Sequence, residues 1–464
     1  MKFTFRMLVI CVLLITACSW PTGHDEISRL KVSENNRFLV KDDGKPFFWL
    51  GDTGWLLFKK LNREDALKYL DDRNQKGFNV IQVMVIHDLN DPVNIYGDSA
   101  FVNKDITRPL VTMGNSFDND REYDYWDHMD YIIDLAAKKG MYMALVPIWG
   151  SNVKEHRISI EKITQYGKWL ANRYKEKSNI IWMNGGDIRG SDYNEVWNTL
   201  GYTLKKNDPN HLITYHPFGR TQSSMWFHNK EWLDFNMVQS GHRRYDQDDT
   251  KLNYGEDNWR YIHSDYALKP IKPTIDGEPS YEGIPQGLHD TLQPYWNDAD
   301  VRRYAYWSVF AGGFGFTYGH NAIMQFFSKD DTTSSYGPKI YWQEALDAPG
   351  AGQMKYLKEL ILSRAFLERI PDQSLIAENQ GEKYNYLAAT RGEDYALIYT
   401  YTGRDIPVLM GKIYGKKVKA SWFNPRDGSQ QEIGVFENSG IQEFNSPGEL
   451  KNGNDWVLIL DSLD

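Results

Sequence analysis

Asp187 closes the stretch Asn179-Ile-Ile-Trp-Met-Asn-Gly-Gly-Asp187, in which an apolar run ends in an amide, two glycines and a carboxylate. A buried parallel strand hands over to a loop in this way. Further along, Lys272-Pro-Thr-Ile-Asp-Gly-Glu278-Pro-Ser-Tyr281 repeats the pattern and places a second carboxylate, Glu278, past a strand end. Two carboxyl groups at two strand ends supply what glycoside hydrolysis needs, one proton donor and one nucleophile or base. In this reading Asp187 protonates the leaving oxygen, which requires a pKa raised by partial burial and the neighbouring negative charge. Glu278 stays ionised and attacks the anomeric carbon. Taken singly, each has a plainer explanation, Asp187 as a helix cap and Glu278 as a surface residue. Their common position in the strand pattern favours chemistry.

The elements that must position them alternate along the chain. Strand-like runs at 46–51, 79–86, 141–148, 179–183, 211–215, 235–239, 273–275 and 313–317 are separated mostly by helical spacing, as at 63–76, 125–139, 159–175, 192–206, 259–268 and 298–311. About eight β segments alternating with helices is the count of a (β/α)8 TIM barrel, α/β in class. An open doubly wound sheet is the other candidate, but no Gly-x-Gly-x-x-Gly follows the first strand to suggest a dinucleotide site. In a barrel, side chains just past the carboxyl ends of the strands converge. That rule gathers Asp52, Trp55, His87, Trp149, Asn184, His216, His242, Tyr281 and His320 around the two carboxylates as candidate substrate-binding residues. Asn184 and the histidines would hydrogen-bond sugar hydroxyls, and Trp149 would offer a stacking platform. A metal-dependent hydrolase is the rival chemistry. There is no His-Glu-x-x-His or His-x-His pair, so neither a metal nor another cofactor is expected. No Gly-x-Ser-x-Gly supports a serine nucleophile.

From about Pro371 the helical period disappears. Short β runs at 384–390, 395–401, 418–423 and 456–460 alternate with turn sequences such as Asn424-Pro-Arg-Asp-Gly428, which predicts a small antiparallel β-sandwich. Upstream, Arg37 to Phe47 predicts a hairpin with a two-residue turn at Asp43-Gly44. The N-terminus has the form of an export signal: Lys2 and Arg6, then an apolar stretch from Met7 to Ile15, then Leu14-Ile15-Thr16-Ala17-Cys18. The last five residues have the pattern of a bacterial lipobox, with Cys18 as the lipidated residue. The expected organisation is therefore a signal segment at 1–18, a polar tether at 19–28, a barrel at 29–370 and a sandwich at 371–464. Cys11 and Cys18 are the only cysteines, so the mature chain would rely on core burial rather than disulfides. The formal net charge of −9 and the lack of a basic stripe argue against a nucleic-acid partner. The expected partners are a polysaccharide or oligosaccharide and, through the lipid anchor alone, a membrane. The expected location is the periplasm or the outer-membrane surface.

Four segments also carry a family resemblance: Phe47 to Phe58, Gly77 to Val83, Trp182 to Asp187 and Asp276 to Pro279. They resemble the apiosidase-like bacterial glycosidases, glycoside hydrolase family 140, and the resemblance covers most of the chain from about Arg29. The C-terminal part resembles the β-domain that follows the barrel in that family, sometimes named for collagen binding. The resemblance implies a retaining mechanism with Asp187 as acid/base and Glu278 as nucleophile. It also implies action on apiose where that sugar joins side chains to the galacturonan backbone of the pectin rhamnogalacturonan II. Two rivals remain beside it: a retaining glycosidase for another glycan, and a glycan-binding lipoprotein without turnover.

Overall fold

The computed structural model describes residues 27–463. The export segment, Cys18 and the tether as far as residue 26 lie outside the described residues. Eight parallel strands form the barrel: β1 Trp49–Thr53, β2 Val80–Met84, β3 Tyr142–Val146, β4 Ile180–Gly185, β5 Ile213–His216, β6 Asn236–Gln239, β7 Thr274–Asp276 and β8 Gly315–Tyr318. Every residue in them is buried. A parallel strand covered on both faces can be apolar on both, as in Tyr142–Val146 and the start of Ile180–Gly185, while Gln82, Thr214 and Thr274 are buried polar residues within the others. The ladder runs β5-β4-β3-β2-β1-β8-β7-β6, so the first and last strands are neighbours, with Tyr318 opposite Asp52. Between β5 and β6 the curl is completed by two bonds: Asp234 N donates to Ile213 O (2.8 Å) and Thr214 Oγ1 donates to Phe235 O (2.8 Å).

The longer helices are α1 Arg63–Gln75, α2 Tyr125–Lys138, α3 Ile160–Tyr174, α4 Asn194–Asn207, α5 Asn258–Tyr266, α6 Asp298–Phe310 and α7 Pro349–Leu362. Short polar side chains start several of them. Asn62 accepts from Asp65 N, Ser159 from Lys162 N, and Asp124 and Asn297 form capping boxes with Asp127 and Asp300. Each satisfies backbone donors that the first helical turn leaves free. The crossover from β5 to β6 carries only the four-residue helix Ser224–Phe227. The predicted hairpin forms between Leu39–Lys41 and Pro46–Phe47, but its loop has three residues, Asp42 to Gly44. Lys41 N bonds to Lys45 O, and Gly44 takes φ +83°, the form in which glycine occupies the left-handed position.

Beyond α7, six antiparallel strands run in the order 370–371, 387–391, 395–400, 456–462, 417–423, 430–437, and a two-stranded ribbon, Ile406–Leu409 with Ile441–Phe444, packs beside them. The strand Tyr395–Thr400 is buried throughout because both its faces are used. Ala396 and Ile398 join Ile406, Val408 and Phe444 between the two sheets, while Leu397 and Tyr399 belong to the barrel's own core. Tyr399 stacks on Tyr306 of α6 (4.7 Å, 12°) and Tyr386 on Trp259 of α5 (4.1 Å, 6°). Arg302 of α6 forks onto Asp455, with both contacts at 2.9 Å. Helix α6 is consequently buried on every side from Asp300 to Phe310; a helix between two layers has no solvent face to keep polar.

Candidate active site

The end of β4 is built by glycine. Gly185, Gly186 and Asp187 have φ of 90°, 103° and 53° in succession. A Cβ on Gly185 would lie 2.6 Å from the His216 carbonyl oxygen, and one on Gly186 would lie 2.5 Å from the Trp149 ring. No other residue type combines that backbone with that clearance. The turn leaves Asp187 in the left-handed region, a conformation costing on the order of 1–3 kcal/mol for a non-glycine residue. Its N–H points at His216 Nδ1, 3.5 Å away. Its carboxyl opens into a cavity of about 420 Å3 at the carboxyl ends of the strands.

Glu278 lines the same cavity two residues past β7. Its main chain is tied to the β6 end: Gly277 N donates to Val238 O (2.9 Å), and the Glu278 carbonyl accepts from Gly241 N (3.1 Å). Below it, Asp276 accepts from Ser240 Oγ (2.6 Å) and Asn258 Nδ2 (2.9 Å), which fixes the base of the turn. Two imidazoles grip the Glu278 carboxylate. His242 Nε2 lies 3.1 Å from Oε1, and His216 Nε2 lies 2.8 Å from Oε2. The His242 contact is aligned as a hydrogen bond. The His216 contact is shorter but less well aligned. Because His216 Nδ1 receives the Asp187 N–H, the ring's proton belongs on Nε2, facing Glu278.

The two carboxyls are pushed in opposite directions. Burial works against ionisation of Glu278, but the two histidines outweigh it and hold its pKa at about 2. Asp187 is raised above the ordinary carboxylate value, first by desolvation and then by the charge on Glu278; His216, a hydrogen bond from Gln239 and His242 oppose this. Asp187 is solvent-accessible, yet desolvation is its largest influence. The two facts agree if its accessible surface is the cavity itself, with protein crowding the other sides. The site thus biases Asp187 toward its protonated form and holds Glu278 as an anion, the division of labour that paired acid and nucleophile chemistry needs.

Aromatic rings form the walls. Trp55 lies 5.4 Å from Trp149 and 5.3 Å from His216, edge-on to the imidazole at 89°. Trp55 Nε1 donates to Tyr281 Oη (3.1 Å), and the Tyr281 ring meets His242 edge-on at 4.6 Å. His87 also lines the cavity, and its pKa is lowered by burial and by the charge of Lys59. His216 stands behind this surface, fully buried, and touches both carboxylate-bearing loops.

Three residues expected in the site face elsewhere. Asp52 is fully buried, with Tyr69 Oη donating to Oδ2 (2.7 Å) and Arg73 Nε 2.7 Å from the same oxygen. It pairs β1 with α1. Asn184 is buried with its amide committed, Nδ2 to Trp197 O (2.8 Å) and Oδ1 to Gly185 N (3.0 Å). His320 caps a short helix through Nδ1 and Ala322 N (3.1 Å), and burial lowers its pKa to about 3. In their place the cavity takes residues not expected from the sequence. Gln239 ends β6, and Phe218, Arg220 and Arg243 follow β5 and β6. His289 comes from the hairpin of Pro285–Gly287 with Asp290–Tyr295, and Tyr336 from the long loop after β8. The strand-end rule would have reached Gln239; the loop residues carry no periodicity that marks them.

The family model described as "Apiosidase-like, catalytic domain" matches residues 33–368. The chain belongs to the apiosidase-like family. A second model, described as "Putative collagen-binding domain of a collagenase", matches residues 370–461. Among solved structures, one described as a glycoside hydrolase shares 49% identity over 94% of this chain and 97% of its own, with a TM-score of 0.87. Another, described as a glycoside hydrolase family 5 protein from Bacteroides vulgatus ATCC 8482, shares 47% identity over 94% of this chain and 93% of its own, with a TM-score of 0.88. No curated protein matches. This apiosidase-like protein is a glycoside hydrolase with a TIM-like barrel, and its substrate is a glycan.

Proposed function

We propose that the enzyme cleaves the apiose–galacturonate linkage of rhamnogalacturonan II with retention, as a β-apiosidase of glycoside hydrolase family 140. Glu278 serves as nucleophile and Asp187 as acid/base. The observation carrying the mechanism is the opposite bias of the two carboxyls in one cavity, Glu278 held near 2 and Asp187 raised. In the first step the Glu278 carboxylate bonds to the anomeric carbon as the glycosidic C–O bond breaks, and Asp187 gives its proton to the departing oxygen. In the second step Asp187, now a base, takes a proton from water while that water displaces Glu278. Trp149 and Trp55 offer the sugar an apolar face, and His87, His242 and Gln239 offer hydrogen-bonding groups. The choice of apiose is supported by the match to the apiosidase-like family model. Export and lipid anchoring at Cys18, on the periplasmic or outer surface of a bacterium, are supported by the basic, apolar and small-residue order of residues 1–18.

The test is incubation of the chain lacking residues 1–18 with rhamnogalacturonan II, with analysis of the released oligosaccharides and their anomeric configuration by NMR. Side chains ending in apiose, released first with the substrate's anomeric configuration, are expected. Release from a different glycan alone would discard the substrate, and an inverted first product would discard the nucleophile.

The pH profile should follow the two carboxyls. Glu278 must be ionised, so kcat/KM falls on the acid side only as pH approaches its low pKa, for as long as the fold persists. Asp187 must be protonated, so kcat/KM falls as pH rises through its raised pKa. With an activated aryl leaving group, Asp187→Asn should remove the alkaline limb. An alkaline limb that survives in this variant would belong to another group.

A further inference from the structure

The two carboxyls account for the chemistry of the cavity but not for its cations. Arg220 and Arg243 line it, in a chain whose formal net charge is −9. Arg220 is already engaged, with Nη2 3.0 Å from Asp249 and Nε 3.9 Å from Asp248. Arg243 is different. Among the described residues no carboxylate lies within ion-pair distance of its guanidinium, no ring lies beneath it, and its buried Nε has no hydrogen-bond partner. Arg220, Arg302 and Arg303, by contrast, each lie within ion-pair distance of a carboxylate. Arg243 directly follows His242, the residue that holds Glu278. Burial raises the Tyr336 phenol, and the charges of Asp187, Glu278 and Arg243 also act on it, so all three surround one phenol on the cavity wall.

An N–H removed from water without an acceptor is costly, and a cation facing a cavity finds its acceptor in what enters. The planar fork of arginine matches a carboxylate with two parallel hydrogen bonds, which a sugar hydroxyl cannot accept in the same way. We propose that Arg243 binds the carboxylate of an acidic sugar adjoining the cleaved bond, and so selects uronate-bearing substrates. The inference rests on the glycosidase reading of this cavity; under that reading the acidic sugar is the leaving group.

The test compares two substrates with the same glycosyl group, apiosyl galacturonate and its uronate methyl ester. The wild-type chain is expected to favour the free acid by about 10–100-fold in kcat/KM, the range of a charged hydrogen-bonded contact. Arg243→Gln should bring the acid-to-ester ratio close to one, whatever happens to the absolute rates. Arg243→Lys, which keeps charge but not the fork, should restore part of the preference. A wild-type ratio near one, or a ratio unchanged in both variants, would overturn the inference while leaving the glycosidase reading intact. Turnover of neither substrate by the wild type would remove the substrate reading and this inference with it.

Discussion

Glu278→Gln is expected to lower turnover by roughly 10⁴-fold or more, since its amide cannot form the covalent ester and contributions from such groups are of this order. The fold should survive. Gln keeps the size of the side chain and an oxygen for His242, and the main-chain bonds of Gly277 and Glu278 to the β6 end are untouched. The thermal midpoint therefore separates two explanations. A midpoint near the wild-type value with lost turnover places Glu278 in the chemistry, whereas a large fall would make it a structural residue. Glu278→Gly gives a second reading. Added azide can occupy the vacated space, bond to the anomeric carbon and release a glycosyl azide of inverted configuration. Restored turnover without that product would point to a different nucleophile.

The second large effect lies below the cavity. Asp52→Ala leaves Arg73 fully buried beside an empty space with only Asp72, 3.1 Å from Nη1, to balance it, and breaking a buried pair from one side costs up to about 3–5 kcal/mol. The denaturation midpoint should fall accordingly. Activity per folded molecule should change little, because Asp52 turns away from the cavity toward Tyr69 and Arg73. A variant of unchanged stability that no longer turns over would return Asp52 to the active site.

That contrast shows what the sequence conveyed and what it withheld. Strand ends were legible because buried parallel strands are apolar runs closed by glycine or polar residues, and the same rule found Asp187, Glu278, Trp55, Trp149, His87, His242 and Tyr281 in one cavity. The rule fixes how far along a strand a residue lies but not which way it points, and side chains two apart share a face. Trp182 hydrogen-bonds Asp208, so Asn184, two residues on, faces outward as well, toward Trp197. Arg243, His289 and Tyr336 come from irregular loops whose course is set by tertiary contacts. In the C-terminal region Gln430–Glu437 escaped notice for a related reason. As an edge strand it is largely exposed on both faces, so no apolar alternation marks it.

The burial of α6 between barrel and sheet bears on how this architecture can be recombined. Two family models divide the chain near residue 369, which suggests a seam where parts could be exchanged. Yet Arg302, Tyr306 and Phe310 already carry the imprint of Asp455 and Tyr399. A chimera given a foreign tail would have to accept an arginine stripped of its fork onto Asp455, left with Asp298 and Gln353 alone, and a greasy groove along the helix, or bring its own replacement for α6. The boundary in the text of the chain is therefore not a boundary in its inheritance: the tail and the outer wall of the barrel have to change together.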